Sequence, residues 1–460
     1  MTTLSSYRRG LFSHRHGSSL ALAIALATGT ATIATAVFPT EASAQRKRDN
    51  DKEDDGGGYS DAFREAYVPL DEALKAEGAD VAALRPQIDA LIPVLNTADE
   101  KIAGGGLIFN AGIAAQDRTL QLAGMELMLE SGKVPAENVG RYNFIAYQLS
   151  NQQNDYAEAR GYLQGAIDAG FTTDTVKEAD LKIAMAESYF SQNQLNEGFE
   201  YLSDAIKARK ASGQTVDEQW YRRGVTVAYE NEATPQVYDF ATMWIADYPS
   251  ATNWRDAVNL TRNLNTFDAP KILDLFRLSR RVDALTDASD YDYYIEAADP
   301  RRLPQEVKTV IEEGLADGVV TRDNLFVVEA LETAETRIES DRADLPALEA
   351  DAMAGNAQLR TVTAAGNAFL NYDEYDKAAT FYARALEMPG VNMAENLTRL
   401  GIAQVGAGDY AAAQETFGKV TGDRAPIAML WSAYAQQLEA GNTGEAAAEA
   451  VSAAPEMTGS

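Results

Sequence analysis

The chain has 460 residues, no cysteine and two histidines, and its 69 acidic against 40 basic side chains give a net charge of -29. Without cysteine neither a disulfide nor a thiol-linked lipid anchor can form, and so acidic a surface repels nucleic acid and anionic membranes. A chain of this length buries a sizeable core without covalent staples.

Residues 1–44 have the layout of a secretory signal. Arg8, Arg9 and Arg15 supply the basic start, residues 20–27 the apolar centre, and Ala42 and Ala44 the small-residue cleavage site. Cleavage is expected after Ala44. It removes both histidines, His14 and His16, and with three arginines and one glutamate gone the net charge moves from -29 to -31. Gly29 and several threonines dilute residues 20–38 below a spanning helix. The product is therefore expected in the periplasm, or secreted, with no stable membrane anchor.

Residues 45–58 contain no apolar side chain and end in three glycines, which predicts a flexible leader. From Tyr59 the pattern turns helical, with Phe63, Ala66, Tyr67, Leu70 and Leu74 on one face. Gly104, Gly105 and Gly106 predict a tight turn between paired helices. Landmarks then begin to recur: Ala159 returns as Gly198 and Ala166 as Ala205, both 39 residues on. Trp220 and Trp254 follow at a spacing of 34, each with a smaller residue four positions later, Gly224 and Val258.

Over 266–358 the landmarks fade. The acidic run around Asp287, Asp290 and Asp292 lacks the central glycine of a calcium loop and is read as a capped helix start. Leu303, Pro304, Val307, Val310 and Ile311 predict a Pro-started amphipathic helix ended by Gly314, and residues 325–338 a longer one. Over 359–455 the repeat is clearest: Gly366 to Gly401, Ala378 to Ala413 and Tyr382 to Phe417 are each 35 residues apart.

These landmarks resemble the tetratricopeptide repeat, a 34-residue helix–turn–helix unit with small residues where its helices touch and an aromatic one turn later. The resemblance covers 359–423 and, more loosely, 142–262. It implies an all-α fold of helix–turn–helix repeats stacked into a right-handed superhelical solenoid. The blocks would be 59–265, a diverged 266–358 and 359–455. Gly366, Ala378, Tyr382, Gly401, Ala413, Phe417, Trp220 and Trp254 would be packing residues. The resemblance also implies a groove lined by first helices that holds a peptide segment, with Arg141, Gln148, Asn151, Glu187, Phe190, Tyr221 and Asn367 at its exposed positions. Asn367 stands where clamp-type members use Asn against a peptide carboxylate. The next repeat offers Ile402 there and the groove has few basic residues, so Asn367 is read as a solvated or packing residue.

Once the signal is removed, no histidine or cysteine remains for Ser-His-Asp or Cys-His catalysis, for HExxH sites or for ordinary zinc ligation. No G-x-S-x-G, S-x-x-K or phosphate-cradling loop is present. The chain is thus expected to be non-catalytic, with no cofactor or metal. Its expected role is a periplasmic scaffold or adaptor for a protein partner of the cell envelope, in envelope assembly or in polysaccharide or protein export. Two alternatives stand beside it: a carboxylate-dependent enzyme acting on envelope glycan, which needs only a suitably spaced pair of acids, and a purely structural, self-associating array.

Overall fold

The computed structural model describes residues 58–453. The predicted signal, with His14 and His16, and the leader as far as residue 57 lie outside the described residues. Among those described there are twenty α-helices and no strand, and the helices pack mainly as neighbouring pairs. Contacts divide the chain into two compact units, one ending at Thr215 and one beginning at Val216. That division falls inside the 59–265 block.

The first unit contains α1 (Asp61–Lys75), α2 (Val81–Leu91), α3 (Ala98–Ala114), α4 (Arg118–Glu130), α5 (Ala136–Gln152), α6 (Tyr156–Asp168), α7 (Glu178–Ser191) and α8 (Leu195–Ala211). The triple glycine is not a turn; it lies inside α3. A side chain at Gly105 would sit 2.7 Å from the Gly124 carbonyl of α4, and one at Gly124 only 2.4 Å from the Phe109 amide. The glycines serve close backbone approach of α3 to α4, a packing demand that outweighs their poor helix propensity. At its start α3 carries a capping box between Thr97 and Glu100. The fully buried Glu100 carboxylate also accepts the Ser60 amide at 2.7 Å and so fixes the entry to α1. Burial raises the pKa of Glu100, but its hydrogen bonds from Ser60, Thr97 and Asn96 prevail and hold it at about 2.

The second unit contains α9 (Glu218–Glu230), α10 (Gln236–Asp247), α11 (Ala251–Leu264), α12 (Ala269–Arg281), α13 (Ala288–Ala298), α14 (Pro304–Ala316), α15 (Leu325–Met353), α16 (Leu359–Asn371), α17 (Tyr375–Leu386), α18 (Met393–Ala407), α19 (Tyr410–Phe417) and α20 (Ala425–Ala453). The diverged stretch is built of α12, α13, α14 and α15, the last of which runs on for 29 residues. α13 opens with a capping box between Asp287 and Asp290. Gly314 does not end α14. It lies within the helix, where an added Cβ would be 2.5 Å from the Tyr291 ring, and the left-handed residue after the helix is Gly318.

Three helix pairs share one contact. The glycine of the first helix seats an aromatic ring sixteen positions later: Gly224 under Phe240, Gly366 under Tyr382 and Gly401 under Phe417, with an added Cβ at 2.4, 2.8 and 2.4 Å from ring carbons. The turns keep the same register. Asn154 and Asn193, and likewise Asp373 and Gly408, adopt positive φ between paired helices. These pairs are 39 and 35 residues apart, the intervals of the packing landmarks. Gly, Asn and Asp tolerate that conformation best, which is why the turns select them.

The last helix leaves this neighbour-to-neighbour order. α20 reaches back across the unit: Trp431 Nε1 donates to the Asp274 carbonyl at 2.8 Å, Gln437 Nε2 to the Ile245 carbonyl at 2.7 Å, and Tyr434 packs edge-on against Trp254.

Gly401→Val forces a branched side chain into the Phe417 ring and is expected to cost about 1–3 kcal/mol of stability. Combined with Phe417→Ala, the loss should fall short of the sum of the single losses. Chemical denaturation of the four proteins checks this, and strict additivity would show that the two residues do not form one contact.

Candidate functional site

The expected groove residues divide into two groups. Arg141, Gln148 and Asn151 on α5, and Glu187 on α7, are half-buried and stand on first helices of their pairs. Phe190 and Tyr221 do not line an open groove. Phe190 is buried against Gly198 and lies 5.2 Å from Phe199. Tyr221 is fully buried, gives its hydroxyl proton to Asp247 and meets Tyr248 edge-on. Burial and Asp247 together push its phenol pKa up. Both are aromatic residues on first helices, but the adjoining second helix covers them, so they fill the core. Asn367 is half-buried and its amide oxygen is engaged: Oδ1 accepts the Tyr382 hydroxyl at 2.8 Å and Arg399 Nη1 at 3.1 Å. Trp220 and Trp254 are each 3% exposed, and Ala378, Tyr382 and Ala413 are fully buried.

What the sequence reading passed over is an ionic cluster buried in the second unit. Asp274 of α12 is 0% exposed. Its Oδ1 accepts Arg277 Nη1 at 2.8 Å and its Oδ2 accepts Arg424 Nη1 at 2.6 Å. Arg399 Nε of α18 stands 3.4 Å from the same Oδ2, at ion-pair distance without hydrogen-bond alignment. Arg277 forks onto Glu306 of α14 with two bonds of 2.7 Å, and Tyr294 gives its hydroxyl proton to Glu306 at 2.8 Å. Glu395 pairs with Arg399 Nη1 at 2.6 Å. Three guanidiniums thus meet three carboxylates.

This balance sets the ionisation states. Burial raises the Asp274 and Glu306 pKa values, but Arg399, Arg277 and Arg424 around the first, and Arg277 around the second, hold both below the ordinary carboxylate range. Burial lowers the Arg277 pKa and Glu306 more than restores it, so that guanidinium stays charged. Burial and the Glu306 charge push the Tyr294 phenol well up. Carboxylates this firmly ionised are poor proton donors, and the cluster lacks the raised acid that glycoside hydrolysis requires. Its role is to lock helices together.

Beside the cluster lies a cleft of about 30 Å³, walled in part by Arg277, Arg280, Arg281, Asn371 and Tyr375. One sequence signal pointed toward this region. Residues 273–279 of α12 are all buried, yet Asp274 and Arg277, spaced three apart, interrupt the apolar run, and a paired charge is what such a position demands.

Among the described residues no group of three or more His, Cys, Asp or Glu side chains is placed to hold a metal ion, and no helix is long and apolar enough to cross a membrane. No protein-family model matches the chain, and no curated protein matches it significantly.

Asp274→Asn removes one charge from a balanced buried set and is expected to destabilise the protein by about 3–5 kcal/mol. The depressed pKa values also fix a pH dependence. The stabilisation from Asp274 and Glu306 is complete above their ordinary values of 3.8 and 4.5, and is lost as pH falls through the lower folded values. Acid titration followed by tryptophan fluorescence should show this loss in the parent and a shallower slope in Asp274→Asn. An unchanged slope would remove Asp274 from the linkage.

Proposed function

We propose that the chain is a non-catalytic, tetratricopeptide-type interaction scaffold, exported to the periplasm, that holds another protein of the cell envelope on the first-helix faces of its repeats. The observation behind this reading is the shared register of glycine–aromatic contacts and left-handed turns. Helix pairs built alike are the kind of unit that stacks as a tetratricopeptide superhelix, for which we propose the right-handed sense and a face shared by the first helices. Helical stacks of this kind present extended surfaces rather than deep reaction pockets. Arg141, Gln148, Asn151 and Glu187 are half-buried polar side chains of mixed charge on the first helices of two such pairs, suited to choosing a partner by charge complementarity. The strong negative charge keeps the protein soluble and clear of nucleic acid.

The proposal is tested by affinity capture from an envelope extract. Purified protein should retain one partner in stoichiometric amount, and Arg141→Glu and Glu187→Lys should each reduce its recovery several-fold, by about 1 kcal/mol or more of binding free energy. Glycan turnover by the purified protein, or capture indifferent to both reversals, would sink this reading.

A further inference from the structure

We propose that the cleft beside the buried ionic cluster is a binding site for a small carboxylate. Its positive wall comes from three arginines of α12, and only one of them is spent in full. Arg277 is consumed by Glu306 and Asp274. Arg280 forks onto Glu313 through Nε and Nη2, both at 2.7 Å, which leaves Nη1 without a partner among the described residues. Arg281 is exposed, lies over the Tyr375 ring at 5.4 Å and donates to the Tyr375 hydroxyl, but forms no salt bridge among the described residues. The three guanidiniums face two lining carboxylates, Glu306 and Asp373. Arg277 and Arg280 are matched by Asp274, Glu306 and Glu313, so Arg281 is the one guanidinium of the cleft wall without a carboxylate partner among the described residues.

Asn371 supplies the donor that selects the ligand. It is 2% exposed, and its Oδ1 accepts the Glu306 amide at 2.9 Å, which fixes the orientation of the side-chain amide. Nδ2 is then buried without a hydrogen-bond partner. The Tyr372 phenol, raised by burial and by Asp341, is near enough for Asn371 to offset part of that rise, but it makes no hydrogen bond with Nδ2 and gives its own proton to Asp341 at 2.9 Å.

A buried donor left unpaired is costly, and an incoming acceptor removes the cost. A carboxylate brings two acceptor oxygens in one plane, one for an amide N–H and one for a guanidinium edge. The free volume of about 30 Å³ exceeds the roughly 10–15 Å³ a single water requires and suits a group of that size. The carboxylate could belong to a free small acid or to the C-terminus of a peptide, since both present the same group.

Calorimetric titration of the whole protein separates these sources, using acetate, succinate, inorganic phosphate, and one short peptide with either a free or an amidated C-terminus, against sodium chloride at matched ionic strength. Saturable binding of one carboxylate per chain is expected. Acetate or succinate binding would identify a free acid as sufficient, whereas binding of the free peptide but not of the small acids or the amidated peptide would identify a chain terminus. Asn371→Asp keeps the acceptor for the Glu306 amide and puts a competing carboxylate in the cleft, so it should abolish binding. Arg281→Ala, at an exposed position, should weaken binding by about tenfold or more and decides the matter if Asn371→Asp fails to fold. Absence of saturable binding, preference for inorganic phosphate, or unaltered affinity in folded Asn371→Asp or Arg281→Ala would overturn the proposal. Each of these outcomes leaves envelope-protein capture unaffected, so the site stands or falls separately from the scaffold reading.

Discussion

Asp274 carries a full charge where no water reaches it, and the second unit is organised around neutralising that charge. Taking a carboxylate out of water costs several kcal/mol even after relaxation. The cost is met only because guanidiniums arrive from three places far apart in sequence: Arg277 one turn along α12, Arg399 on α18, and Arg424 just before α20. The three arginines must be in place together, because each left alone would itself be a buried charge. The ionic cluster therefore couples helices that no local contact joins, and its correct assembly fixes where α20 begins. Trp431, bonded to the carbonyl of the same Asp274, then fixes the direction in which α20 runs.

Around this lock, the helix pairs are held by steric fit. A glycine on one helix lets an aromatic ring lie directly on the backbone, as at Gly366 with Tyr382 and Gly401 with Phe417, and close packing makes such contacts sensitive to a single methyl group. The same economy appears where no ring is involved. Gly105 and Gly124 bring the backbones of α3 and α4 together, and the helix-breaking tendency of three successive glycines is overcome by that contact. Packing sets the helix separation, and the left-handed residue at each turn sets the direction of return.

Charge is used differently inside and outside the second unit. Inside, opposite charges are counted out one against another, with Glu306 forked by Arg277 and Glu395 paired with Arg399. At the edge of the same network Arg281 has no carboxylate partner among the described residues, and Arg280 keeps Nη1 beyond its fork onto Glu313. A rigid, balanced interior is what allows the neighbouring unbalanced donors to keep their positions, since fixed rotamers pay little further entropy when a ligand arrives.

The amino-acid sequence alone determined the helical class and the register of the clearest pairs. Periods of 35 and 39 residues in small and aromatic positions arise from local helix geometry and turn length, and local rules leave visible traces. Gly366, Ala378, Tyr382, Gly401, Ala413 and Phe417 were legible for that reason. The same local rules misread Gly104–Gly106, because helix propensity says turn whereas the facing Gly124 permits a continuous helix. They also misplaced Phe190 and Tyr221, since a first-helix position says nothing about which neighbour covers it. Only the tertiary structure decided the cluster at Asp274 and the cleft beside it. Their members lie up to 150 residues apart, and the free energy of a buried charge depends on its surroundings in space, which no periodicity in the chain records.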